Sequence, residues 1–280
     1  MTDNGGSPIV TISYPARAGG VLTRVLEAGA GPATVLYLHG VGSRADRWRF
    51  NLEPIAAAGY RCMALDLPGH GFAQKGAAFE YGVPGYADFI EAFLDENRIE
   101  NPHLVGSSLG AHVVSTVACR RPTRIRSLTL VGATGMFPLG AEARGAIADR
   151  MLDCSREGIE HKLKKVICDA ALVTEALIDE EWKINTSPGA EDGFARLSAY
   201  FRNRIDDDAV GERLAALRPA PPSLLVWGEE DRSVPLSIGK KAQQVLNVPL
   251  RVMPATAHAP YWEDPETFNA ILLEFLRRSG

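Results

Sequence analysis

The sequence predicts an α/β fold: a mostly parallel, twisted sheet flanked by helices, interrupted by a helical insertion. Three observations carry that prediction. Up to about residue 135, short apolar runs alternate with helix-period stretches. Between 136 and 222 the strand-like runs stop and only helical patterns remain. From 223 to 280 the alternation resumes. Alternating strands and helices give parallel strands joined by crossovers, with both sheet faces covered. The expected division is a core from 1–135 and 223–280 and a helical cap, or lid, from 136–222.

Each element has its own signal. Residues 9–14 and 21–27 alternate apolar and polar side chains around Ala18-Gly19-Gly20, which predicts an antiparallel hairpin at a sheet edge. The run 34–38 is a buried strand ending in His39-Gly40-Val41-Gly42, and a helix over 46–58 is stopped by Gly59. A strand at 61–65 runs into Asp66-Leu67-Pro68-Gly69-His70-Gly71. Pro84 opens a helix over 86–97 whose Tyr86, Phe89, Ile90, Phe93 and Leu94 share one face. Strands at 102–105 and 125–131 flank a helix at 111–118. The insertion reads as helices at 141–152, 159–170, 174–184, 191–201 and 209–217, closed by Pro219-Ala220-Pro221-Pro222. A strand at 223–227, a helix at 236–246, a strand at 250–253 and a helix at 265–278 complete the pattern.

Composition narrows the function. With a net charge of -4 and no basic patch, neither nucleic acid nor an anionic membrane is an expected partner. No window has the apolar length of a membrane span, and Met1 to Ser7 is polar, without the pattern of a signal peptide. The four cysteines, Cys62, Cys119, Cys154 and Cys168, lack C-x-x-C spacing and read as reduced thiols, so a cytoplasmic protein is expected. No His/Cys cluster has metal-ligand spacing, and no phosphate-cradling glycine loop occurs, so neither metal nor cofactor is expected. The expected partner is a small-molecule substrate; oligomeric state is not readable.

The chemistry centres on Gly106-Ser107-Ser108-Leu109-Gly110, a G-x-S-x-G pattern between a strand and a helix. That context makes a nucleophile elbow, a turn so tight that its central serine is strained while the glycines let strand and helix approach. Ser108 is the central residue, and the Leu109 N–H then points at the oxyanion formed when Ser108 attacks a carbonyl. A serine hydroxyl needs a base, and the base needs an orienting carboxylate, in the chain order Ser, acid, His. Glu229, Glu230 and Asp231 follow one strand, with spacing that favours Asp231, and His258 follows the next. Both loops leave the C-terminal ends of parallel strands, where such sheets place their sites. His39 and His70 read as structural hydrogen-bonders, and His103, His112 and His161 as structural histidines. Arg44, Arg47 and Arg49 form a positive cluster suited to a substrate carboxylate, with a solvated helix face as the alternative. Arg44, Arg47 and Trp48 are the candidate substrate-binding residues, and Arg202 with Arg204 a second pair.

Taken together, His39-Gly40-Val41-Gly42, the stretch from Asp66 to Gly71, the Ser108 turn, Gly228-Glu229-Glu230-Asp231 and His258-Ala259-Pro260 with Glu263-Asp264-Pro265 resemble the α/β-hydrolase superfamily in its capped form. The resemblance covers nearly everything outside 136–222. It implies the α/β-hydrolase fold, Ser108 as nucleophile, His258 as general base and then acid, Asp231 as orienting carboxylate, and the Val41 and Leu109 N–H groups as the oxyanion hole. Epoxide hydrolases and haloalkane dehalogenases of this superfamily carry Asp at the elbow, so Ser108 implies attack on an acyl carbon instead. Candidates are an ester, lactone, thioester, amide or the ketone carbon of a vinylogous 1,5-diketone. The last is the chemistry of the meta-cleavage product hydrolases, which the chain resembles in cap size and in its glycine turn with Trp48 downstream. It departs from them at Ser43-Arg44, where they have Pro-Gly, and at Ala259, where they commonly have Trp. The expected function is a serine hydrolase acting on a carboxylic ester or a vinylogous C–C bond of a small, acidic catabolite. A ligand sensor with little turnover and a perhydrolase are the alternatives.

Overall fold

The computed structural model describes residues 8–280, so the polar start, Met1 to Ser7, lies outside the described residues. Eight strands form one sheet: β1 (Ile12–Ala18), β2 (Val21–Ala28), β3 (Ala33–Leu38), β4 (Tyr60–Leu65), β5 (His103–Ser107), β6 (Ser127–Val131), β7 (Ser223–Gly228) and β8 (Leu250–Met253). Their spatial order is β1-β2-β4-β3-β5-β6-β7-β8. β1 and β2 pair antiparallel, as do β2 and β4, and every other pairing is parallel. The first strand lies further along than its alternation predicts, because Pro15 is tolerated on β1, an edge strand with a free side.

Helices follow the strands: α1 (Arg49–Ala57), α2 (Val83–Glu96), α3 (Leu109–Arg120), then α4 (Ala141–Leu152), α5 (Arg156–Val166), α6 (Glu175–Asn185), α7 (Ala190–Asn203) and α8 (Gly211–Ala215), then α9 (Leu236–Leu246), α10 (Pro260–Glu263) and α11 (Pro265–Arg278). Alternation along the buried strands sends successive side chains to opposite faces. Leu36 and Leu38 of β3 join Leu104, Leu130, Tyr86 and Phe93 in one core layer. Val35 and Tyr37 of the same strand join Val105, Leu52, Ile55 and Phe268 in the other. Each fully buried Leu, Ile or Phe in these layers contributes roughly 1.5–3 kcal/mol.

The insertion between β6 and β7 is helical, with no strand among the described residues. Ser155 caps α5 by accepting from the Gly158 N–H at 3.0 Å, and Thr174 caps α6 by accepting from Leu177 at 3.2 Å. Its two halves join different layers. Ala148 and Met151 of α4 pack with Leu197 and Phe201 of α7 in the first, while Ile159 and Leu163 of α5 pack with Leu177 and Ile178 of α6 in the second.

Candidate active site

β3, β5, β6, β7 and β8 run parallel, so the loops that follow them gather at one sheet edge. Ser108 follows β5 and precedes α3 with φ 53°, a left-handed conformation that strains a residue bearing a side chain. Its N–H donates to the Val131 carbonyl at 2.9 Å, and its carbonyl accepts from Ala111 at 3.0 Å. The turn closes only because Gly106 lacks a Cβ, which would overlap the Gly110 carbonyl. Ser107, the rival serine, ends β5 and is buried.

Asp231 follows β7 and His258 follows β8. The His258 Nδ1–H donates to Asp231 Oδ2 at 2.7 Å. The other oxygen, Asp231 Oδ1, accepts from the N–H groups of Ser233 at 2.8 Å and Val234 at 2.9 Å, which fixes the carboxylate plane. Both residues are buried, and Glu229 and Glu230 are exposed and take no part in the pair. Ser108 and His258 line the same cavity, of about 290 Å³, without a hydrogen bond between them.

Val41 borders the cavity after β3. Its N–H makes no hydrogen bond among the described residues, and Leu109 opens α3, so its N–H has no acceptor four residues back. His39 holds this turn from behind, with Nδ1–H donating to Gly40 O at 2.8 Å and Nε2 accepting from the Leu67 N–H at 2.9 Å. Burial pushes the His39 imidazole down to about 4, so it stays neutral, with one nitrogen donating and the other accepting. His70, His103 and His112 are buried in the core or against the backbone, as their structural reading expects. His161 departs from that reading: it stands exposed at the cavity rim, because its place on α5 falls off the buried stripe of Ile159 and Leu163.

The expected substrate-binding residues are placed differently from one another. Arg47 borders the cavity, but its guanidinium donates to Glu181 Oε1 at 2.7 Å. Arg44 stands outside the cavity wall. It is buried, donating to Glu181 Oε1 at 3.1 Å and Asp46 at 3.0 Å. Trp48 is also behind the wall, fully buried and stacked on Tyr261 with ring centroids 3.9 Å apart. Arg44 and Trp48 therefore cannot touch a substrate in the cavity. Arg49 lies over the Trp262 ring, while Arg202 pairs with Asp149 and Arg204 with Asp207, all away from the cavity.

The residue that sequence reading missed is Glu181. Its side chain is 1% exposed, borders the cavity, and accepts from Arg44, Arg47 and, at 2.8 Å, from Lys162 of α5. Burial alone raises its pKa, but Lys162, Arg47 and Arg44 together hold the carboxyl down at about 2. Its position carried a signal: Glu181 falls between Leu177, Ile178 and Asn185 on the buried stripe of α6, where a carboxylate must find cations. Lys162 also donates to the Gly42 carbonyl at 2.7 Å, joined there by Asn185 Nδ2 at 3.2 Å, so α5 and α6 grip the turn that carries Val41. On the other side, the N–H groups of His258 and Ala259 donate to Val166 O at 3.1 and 3.2 Å, and Glu263 accepts from Cys168 N at 2.5 Å and Ala257 N at 2.7 Å.

A hydroxyl on a strained turn beside a carboxylate-oriented imidazole is the equipment for nucleophilic attack on a carbonyl. A sequence model of the alpha/beta hydrolase family matches residues 35–271. The chain is 30% identical over 277 residues to the dihydrolipoyllysine-residue acetyltransferase component of the acetoin cleaving system of Cupriavidus necator, covering 98% of this chain and 72% of that protein. It is 30% identical to a 2-hydroxy-6-oxononadienedioate/2-hydroxy-6-oxononatrienedioate hydrolase of Paraburkholderia phymatum, covering 89% of each. Among solved structures, a meta-cleavage product hydrolase from Pseudomonas fluorescens IP01 superposes with a TM-score of 0.84 at 25% identity, covering 95% of this chain and 98% of the other. With residues 35–271 matched by the family model, the chain belongs to the alpha/beta hydrolase family and is a hydrolase.

Proposed function

We propose that the chain is a serine hydrolase that opens a bond beside a carbonyl carbon of a small catabolite, either a carboxylic ester or the C–C bond of a vinylogous diketone. The observation that carries this reading is the His258–Asp231 hydrogen bond of 2.7 Å on the cavity that Ser108 also borders. Ser108 Oγ attacks the carbonyl carbon as His258 Nε2 takes its proton, and the oxyanion is held by the N–H groups of Val41 and Leu109. Asp231 holds the imidazole in the tautomer that leaves Nε2 free, and stabilises the imidazolium. His258 then returns the proton to the leaving oxygen or carbon, and water attacks the acyl-Ser108 by the same route in reverse. The helical insertion from 136–222 acts as the cap, lining the cavity and excluding water.

Two kinds of relative support the choice of bond: the hydrolases named for a 2-hydroxy-6-oxo-dienedioate and the meta-cleavage product hydrolase of the same fold. The test is a paired ultraviolet assay of wild type and Ser108→Ala on a short p-nitrophenyl ester and a 2-hydroxy-6-oxo-dienoate. Turnover of either that falls by roughly 10⁴-fold or more in the variant supports the triad. A dienoate preference of several orders of magnitude assigns C–C cleavage, and ester turnover alone assigns an esterase. Turnover of neither, or turnover that survives Ser108→Ala, overturns the reading.

A further inference from the structure

The cations around the cavity fall into two sets. Arg47 and Lys162, on the side of the Val41 turn, are neutralised by Glu181. A substrate carboxylate brought there would meet a carboxylate that already occupies those donors. Arg150 of α4 and Lys165 of α5 also border the cavity, yet neither forms an ion pair among the described residues. The nearby acid on the cavity rim, Asp153, is engaged elsewhere: its Oδ1 accepts from Ser155 Oγ at 2.5 Å and Ser155 N at 3.2 Å.

The two free cations also sense each other. Burial lowers the Lys165 pKa, and the Arg150 charge lowers it further, while Asp231 works in the opposite direction. Lys165 thus stands within electrostatic reach of both Arg150 and the carboxylate behind His258. Two like charges facing one cavity repel, and an anion placed between them removes that repulsion.

We propose that Arg150 and Lys165 form the anion subsite of this cavity, holding a carboxylate of the substrate while Ser108 attacks its carbonyl carbon. The inference rests on the serine-hydrolase reading and adds to it the charge of the substrate and the side of the cavity that reads it. Arg150 offers a planar fork that can take both carboxylate oxygens, and Lys165 a compact second charge. Glu181 supplies discrimination by repelling an acid group brought to Arg47 and Lys162, whose charges it already neutralises.

The experiment uses two boronic acids of the same shape, 4-carboxyphenylboronic acid and the neutral 4-carbamoylphenylboronic acid. Either traps a serine nucleophile reversibly: Ser108 Oγ adds to boron, its proton passes to His258, and a tetrahedral boronate anion results without oxidation or reduction. Dissociation constants are measured for wild type, Arg150→Gln/Lys165→Gln and Ser108→Ala. The expected result is wild-type binding of the carboxylate at least roughly tenfold tighter than of the carbamoyl compound, as charge-assisted hydrogen bonds imply. The double variant should lose that preference while holding the neutral boronate unchanged, which also certifies its fold. Equal wild-type affinities, or a preference that survives in the double variant, overturn the subsite and leave the Ser108 reading standing. Undiminished binding of the neutral boronate in Ser108→Ala overturns the serine-hydrolase reading, and the subsite with it.

Discussion

A Cβ placed on Gly132 would stand 2.9 Å from Nδ1 of His258 and 3.2 Å from Oδ2 of Asp231, the two atoms joined by the hydrogen bond. Gly132, with φ at 50°, is the floor beneath that pair. A methyl group there displaces the imidazole, and the backbone conformation strains any replacement. Gly132→Ala is expected to lower kcat on an ester or dienoate by about 10²-fold, the effect of an ångström-scale misplacement. Steady-state kinetics beside a thermal melt check it: a melt lowered without loss of kcat would show that the imidazole is held some other way.

Glu181 presents the opposite situation, a charge that must stay. Its removal leaves Arg47 and Lys162 facing each other at the cavity without a counter-ion. Glu181→Ala is expected to destabilise the protein by about 3–5 kcal/mol, the usual result of breaking a buried ion pair on one side. Urea unfolding of wild type and variant measures this directly. A loss below 1 kcal/mol would mean that the three cations find water when the carboxylate is gone.

Trp48 supports the cavity without entering it. Stacked on Tyr261 and fully buried, it sets the position of a wall residue. Trp48→Ala is expected to cost about 3–5 kcal/mol through the void it leaves. Trp48→Phe should keep most of the stability and should leave relative rates on differently charged substrates unaltered. A change in charge preference in Trp48→Phe would bring this ring back into contact with substrate.

Acid should weaken the fold well before the Glu181 cluster titrates. Burial holds His70 down at about 3 and His39, His103 and His112 at about 4. In the unfolded chain each imidazole titrates near its ordinary value of about 6.5. Between those values the unfolded chain binds protons that the folded chain refuses, so stability rises with pH across the window. The contribution is full above about 6.5 and is lost as pH falls toward 4. The Glu263 carboxyl, pushed up by burial, acts in the reverse sense, one group against four. Glu181 loses its own stabilising effect only as pH falls toward about 2. Melting temperatures at pH 7, 6, 5 and 4 are expected to fall steadily, and a flat profile would contradict neutral buried imidazoles.

The sheet was legible because its strands are apolar runs closed by glycine, and α4, α9, α11 and β8 lie where the pattern puts them. Helix starts were less visible in the insertion. Ser155 and Thr174 act as caps rather than helical residues, so α5 begins three residues before its apolar stripe. The His258–Asp231 hydrogen bond followed from chain order and from the rule that loops gather at one sheet edge. The arginine cluster could not be read alone. Arg44 and Arg47 each lie more than 130 positions from Glu181 in sequence, and only folding brings the carboxylate to them.

Val166 carries more than its place at the end of α5 indicates. Its carbonyl takes the amide protons of both His258 and Ala259, and two residues on, the Cys168 amide is held by Glu263 at the end of α10. Swinging that part of the insertion outward breaks the bonds that steady the imidazole's backbone. The seam between His258 and the insertion thus couples the two, and under the proposed role of His258 a gate opened along it would disarm the enzyme for as long as it stayed open.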